Sequence, residues 1–170
     1  MKKIIFLLSI FFLMEMGLYA QEMKLPPDLD NAFLKAYEGF WVSDEYEFFG
    51  VKWHDESAAN WTLNNQFLEM KIITYGPGRF SFKSYAIMTA DKEGNFKQWT
   101  FDDWGQASAG FFEGKIDGMT LKFKGESSYM IGSGVMVIEG NTITQDITFT
   151  EKNEQGNEVT SMVKIVYRKK

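Results

Sequence analysis

The sequence predicts an all-β protein: an antiparallel up-and-down β-barrel of about ten strands, entered through one short N-terminal helix that follows an export signal. Three observations carry this expectation. From Phe40 onward, apolar and polar residues alternate with period two in one segment after another. Turn residues recur at short intervals: Asn64-Asn65, "YGPG" at 75–78, "DKEGN" at 91–95, Asp117-Gly118, "EGN" at 139–141 and "KNEQGN" at 152–157. No helical pattern long enough for a parallel crossover interrupts them, so sequence neighbours pair antiparallel. So many strands strain an open twisted sheet, and closure removes both edges.

The chain opens "MKKIIFLLSIFFLMEMGLYAQE". Lys2 and Lys3 precede a continuous apolar run from Ile4 to Leu13, and residues 1–20 read as a cleaved secretory signal peptide ending at Ala20. Glu15 interrupts the run well short of the roughly 20 apolar residues that span a bilayer. A lipid anchor needs a cysteine at the cleavage site, and the chain has none. The expectation is an exported protein, periplasmic or secreted, soluble, not a lipoprotein, with no stable membrane insertion after cleavage. Residues 21–28, with Pro26 and Pro27, form a linker, and 29–170 form the barrel domain.

Leu29, Phe33, Leu34 and Tyr37 make an apolar stripe at helical spacing, with Asp28 or Asp30 as N-cap and Gly39 as the residue past the C-cap. Strands are expected over 40–49, 57–63, 66–75, 79–90, 96–103, 108–115, 119–124, 129–138, 142–151 and 158–168. Alternation assigns their faces. Trp61, Leu68, Met70, Ile72, Phe82, Ser84, Ala86, Met88, Gln145, Ile147 and Tyr167 are expected inward. Strand 96–103 is ambiguous, and Trp99 and Phe101 are placed inside. In the first strand Asp44 falls between Val42 and Tyr46 on the apolar parity, which leaves Trp41 outside.

Inward polar groups are informative because burying one without a partner is costly. Asp44, Tyr46, Ser84 and Gln145 could orient a ligand in an otherwise apolar interior; a neighbouring group or one buried water would satisfy each equally well. The expected ligand-binding set is Asp44, Tyr46, Trp61, Met70, Phe82, Ser84, Trp99, Phe101 and Gln145.

Composition removes several classes. Acidic residues outnumber basic ones, 23 to 18, and the only basic block is the terminal "RKK". Nucleic-acid binding, which neutralises phosphates with Lys and Arg, is disfavoured. The absence of cysteine excludes disulfides, thiol catalysis and iron–sulfur clusters. Packing then falls to the 16 Phe, five Trp and seven Tyr. The lone His54 sits in "WHDE" at 53–56, an apparent loop, with no second histidine and no HExxH, so no metal site is expected. Asp102 and Asp103 in "FDDWG" are strand neighbours that face opposite ways, with Asp102 expected outward. The Asp44–Glu47 run reads as a solvated edge, and Ser133 in "GSG" as loop. No catalytic set or cofactor site assembles, so a binding protein is expected rather than an enzyme.

Gly39-x-Trp41 after a short helix, "YAIMTADKEGNFKQWTFDDWG" at 85–105 and the closing "EKNEQGNEVTSMVKIVYRKK" at 151–170 resemble the calycin-like bacterial barrels, in particular the exported lipocalin-like domains of unknown function. The resemblance covers roughly residues 29–170. It implies a barrel floor in which Arg168 packs across Trp41 beside Gly39, and an internal pocket for an apolar small molecule. The related haem-binding barrels ligate iron through a late-strand histidine that this chain lacks, so haem is not carried over. The function expected is binding or carriage of a small hydrophobic or amphipathic ligand. The alternatives are a carbohydrate-binding module or glycan hydrolase using Trp53, Trp61, Trp99, Trp104 and the Asp/Glu pairs, or a filled barrel serving as an envelope interaction protein.

Overall fold

The computed structural model describes residues 25–127, 130–152 and 157–170. The expected signal peptide at 1–20 lies outside the described residues.

One helix, α1 (Ala32–Tyr37), precedes eleven strands: β1 (Gly39–Ser43), β2 (Tyr46–Phe48), β3 (Val51–Thr62), β4 (Phe67–Tyr75), β5 (Ser81–Ala90), β6 (Asn95–Asp102), β7 (Gly110–Asp117), β8 (Thr120–Ser127), β9 (Met130–Glu139), β10 (Thr142–Lys152) and β11 (Glu158–Lys169). A 3-10 turn, Gly105–Ser108, lies between β6 and β7. Each strand from β3 to β11 pairs antiparallel with its sequence neighbour. β1 closes the ring, with Trp41 opposite Lys169 of β11 and Phe40 opposite Ala58 of β3. The result is a closed antiparallel barrel of ten strands, with β2 as a short extension of β1 along β3.

The break between β1 and β2 is a β-bulge. Val42 stands opposite Glu56 and Tyr46 opposite Trp53, so residues 43–45 face only 54 and 55. The extra residue inverts the parity of everything before it. Trp41, Ser43, Tyr46 and Phe48 therefore all turn inward. Asp44 turns outward, where it accepts a 3.2 Å ion pair from Arg168. This corrects the expected inward Asp44 and the outward Trp41.

β3 corrects a second expectation. It begins at Val51, so "WHDE" is strand. Trp53, Asp55, Ser57 and Ala59 face inward while His54 and Glu56 face out. His54 stacks on Tyr75 at 4.8 Å, and the Tyr75 hydroxyl reaches Glu56 at 3.4 Å. In β6 the buried parity is that of Phe96, which carries Gln98 and Thr100 inward and leaves Trp99 and Phe101 on the outer face. Phe101 is half exposed, and Trp99 packs on the outward Phe111 of β7. "GSG" belongs to β9, with Ser133 exposed.

α1 plugs one end of the barrel. Asn31, rather than Asp28 or Asp30, caps it by accepting the Leu34 N–H at 3.0 Å. Phe33, Leu34 and Tyr37 are buried against the floor, each contributing about 1.5–3 kcal/mol of transfer free energy. Gly39 follows with φ +126°, and a Cβ there would sit 2.7 Å from the Lys169 side chain. Trp41, fully buried, donates its indole N–H to the Tyr37 carbonyl at 2.8 Å. The cation over its ring is Lys169, with Nζ 5.2 Å from the centroid, where Arg168 was expected. Lys169 lies on the inward parity of β11, and Arg168 does not.

The core gathers on the floor side: Leu68, Met88, Ala90, Phe96, Leu121, Ile138 and Ile143 are buried around the helix. Outward positions bear exposed lysines on most strands, among them Lys52, Lys71, Lys83, Lys97, Lys122 and Lys164. A charged exterior of this kind suits water and is costly against hydrocarbon. No helix among the described residues is long and apolar enough to cross a membrane.

Candidate functional site

Above the floor, the barrel holds a cavity of about 260 Å³. Its base is the Tyr37 ring, whose hydroxyl meets the Met70 sulfur at 3.1 Å. The two halves of the ring differ in chemistry. Strands β3 to β6 supply Ser57, Ser84, Gln98, Thr100 and Asp102, interleaved with Met70, Ile72 and Phe96. Strands β7 to β10 supply Phe112, Leu121, Phe123, Met136, Ile147 and Phe149, with Gln145 the polar exception. A polar wall thus faces an apolar, aromatic one.

Glycines shape the apolar wall. A Cβ at Gly125 would strike the Phe111 carbonyl and the Phe112 ring, and a Cβ at Gly134 would come within 2.9 Å of Phe123. Bare backbone at these inward positions lets the rings of Phe112 and Phe123 lie down on the strands, edge to face at 6.3 Å, and preserves space in the centre.

Beside the cavity lies a buried polar cluster. Asp55 is 4% exposed. Its carboxylate accepts the Tyr167 hydroxyl at 2.6 Å and the Tyr46 hydroxyl at 3.1 Å, and its own N–H donates to Ser43 Oγ at 2.7 Å. The bulge that brings Ser43 and Tyr46 to the same inward face is what assembles this cluster. Tyr167 borders the cavity directly, as does Ser57, the next inward residue after Asp55 on β3. Burial, reinforced by the Asp55 charge, holds the Tyr167 and Tyr46 phenols well above their ordinary pKa. Tyr37 is raised for the same two reasons.

The opposite end of the barrel carries an aromatic rim. Trp53 meets Phe80 at 5.8 Å and Phe82 at 6.2 Å, and Phe82 meets Trp104 at 6.1 Å. Phe48 packs on Phe149 at 5.1 Å. Trp53 is pinned by its indole N–H donating to the Phe48 carbonyl at 3.2 Å. Trp104 is 63% exposed and Phe80 46%.

Of the residues expected to line the interior, Met70, Ser84 and Gln145 border the cavity from inward positions, whereas Phe101 touches it from an outward, 48% exposed position that corrects its expected inward placement. Trp61 packs against the floor-side core and Phe82 belongs to the rim. Tyr46 meets the site through Asp55. Asp44 and Trp99 lie on the outer face. Sequence reasoning missed Asp55, Ser57, Gln98, Thr100 and Tyr167 as site residues. Their signal was present in the alternation Trp53-x-Asp55-x-Ser57-x-Ala59 and in the parity of Phe96.

Asp102 and Asp103 of the hydrolase alternative face opposite ways, with Asp102 inward where it was expected outward. Asp102 accepts the Trp104 N–H at 2.8 Å, whereas Asp103 accepts the Lys83 N–H at 3.1 Å. Among the described residues no three His, Cys, Asp or Glu side chains group as metal ligands. Compared with known families and curated proteins, the chain matches no family model and no curated sequence.

Proposed function

We propose that this barrel binds a small amphipathic molecule in its interior and acts as a carrier or receptor for it, without catalysing a reaction. The observation that carries this reading is the two-sided cavity. A space of about 260 Å³ lies just below the usual range of ligand pockets, about 300–1,000 Å³, and suits a small molecule. A barrel built only for stability gains by filling such a space, since voids cost dispersion and transfer energy. Here glycines on β7 to β9 keep the wall thin while serine, threonine and glutamine face the void. That arrangement accepts a molecule with one polar and one apolar side. The aromatic rim supplies an apolar entrance. An N-terminal signal at 1–20 would place this binding in the periplasm or outside the cell.

The test is organic extraction of protein purified under native conditions from its own source, followed by mass spectrometry. A reproducible stoichiometric small molecule is expected, and it should be lost from a Leu121→Trp variant whose added ring fills the cavity. Native protein that carries nothing, and that binds no amphiphile when challenged, would refute the proposal.

A further inference from the structure

The charge of the ligand is open in the proposal above, and the groups around the cavity address it. Among the described residues bordering the cavity there is no lysine, arginine or histidine, and the one charged side chain is the acid Asp102. A second negative charge lies directly behind the wall. Asp55 is 4% exposed, and among the described residues no lysine or arginine pairs with it. Phenolic and backbone groups surround it instead.

The hydrogen-bond directions sharpen the asymmetry. An ionised carboxylate only accepts, so the Tyr167 hydroxyl must spend its single proton on Asp55. Tyr167 borders the cavity, and its oxygen then has no proton left to donate to a ligand. A ligand head that donates hydrogen bonds finds an acceptor there, backed by the carboxylate. The opposite wall adds Phe112, Phe123 and Phe149, an apolar surface for the body of the ligand. An anionic head would meet no cation and would be buried uncompensated, which is strongly unfavourable.

We infer that the interior selects a cationic amphiphile: a small molecule with a protonated amine or ammonium head and an apolar body. This rests on interior binding as proposed above and adds its charge preference. The amine head sits at Tyr167 and Ser57, and the apolar body lies against the phenylalanine wall.

Calorimetric titration of the full protein at neutral pH with octylamine, octanol and octanoate separates the two claims, because the three share one tail and differ in head charge. Octylamine should bind about tenfold or more tightly than octanol, the scale of one charge-assisted hydrogen bond. Octanoate should bind weakest. In Asp55→Asn the ratio of octylamine to octanol affinity should fall toward one. Octanoate equal to octylamine, or octylamine no tighter than octanol, overturns charge selection and leaves interior binding standing. No binding by any of the three overturns both. Should Asp55→Asn fail to fold by near-ultraviolet circular dichroism, the order in the unsubstituted protein decides alone.

Discussion

Tyr167→Phe removes one oxygen and nothing else, and the structure sets its cost. The hydroxyl donates to the Asp55 carboxylate at 2.6 Å with both residues buried. A hydrogen bond to a charged group contributes about 1.5–3 kcal/mol net. Tyr46 remains as a donor to both carboxylate oxygens, at 3.1 and 3.3 Å, so part of the charge stays solvated and the lower half of that range applies. A loss of about 2 kcal/mol lowers the melting temperature of a domain this size by roughly 4–8 °C. Differential scanning calorimetry reads this directly. Tyr75→Phe is the control, because its 3.4 Å contact with Glu56 lies on the outer face and its loss should leave the transition in place. The sharper arm is the double variant. In an Asp55→Leu background the Tyr167 hydroxyl has lost its acceptor, so Tyr167→Phe should become neutral or stabilising there. A Tyr167→Phe melting point within about 1 °C of the unsubstituted protein would refute the buried carboxylate cluster as drawn.

Other outcomes follow from the same geometry. Lys169→Gln should destabilise the floor more than Arg168→Gln: Lys169 lies over the buried Trp41 ring, whereas the Arg168–Asp44 pair is more than half exposed and contributes about 0.2–1 kcal/mol at most; equal effects in urea melts would count against this floor. Gly125→Ala should cost about 1–3 kcal/mol, because the new methyl meets the Phe111 carbonyl and the Phe112 backbone. Alkaline pH should unfold the barrel. Tyr37, Tyr46 and Tyr167 keep their protons to higher pH when folded than when unfolded, so the unfolded chain releases protons first. The stability they confer is intact below about pH 10 and falls as pH rises past it. Phenolate absorbance should therefore rise for these residues together with the loss of near-ultraviolet dichroism, and independent earlier titration would contradict their burial.

The barrel was legible because most strands alternate cleanly. In β4, Leu68, Met70 and Ile72 oppose Glu69 and Lys71, and in β10 Ile143, Gln145 and Ile147 oppose Thr144 and Asp146; period two settles each face without help. The floor was half legible. Gly39-x-Trp41 marked it, but the bulge at residues 43–45 leaves no trace in composition, and that one residue turned Trp41 inward and Asp44 outward; with Trp41 inside, Lys169 lies over it, not the outward Arg168 that the resemblance implied. The site resisted for a different reason. Face assignment by hydrophobicity assumes that the interior is apolar. In β6 the interior parity carries Gln98 and Thr100 and the exterior carries Trp99 and Phe101, so the rule pointed outward. The same assumption turned "WHDE" into a loop, although Asp55 is the most enclosed carboxylate in the described chain. A polar-walled cavity inverts the signal by which cores are found.

The central claim is that the hollow above Tyr37 takes up an amphiphile. Selective ¹³C-methyl labelling of methionine tests it most directly, because Met70 and Met136 border the cavity while Met162 is 79% exposed on the outer face. On titration with octylamine or octanol, the Met70 and Met136 methyl resonances should shift saturably and together, with Met162 unmoved. Shifts confined to Met162, or none at Met70 and Met136 while ligand still binds, would contradict interior binding.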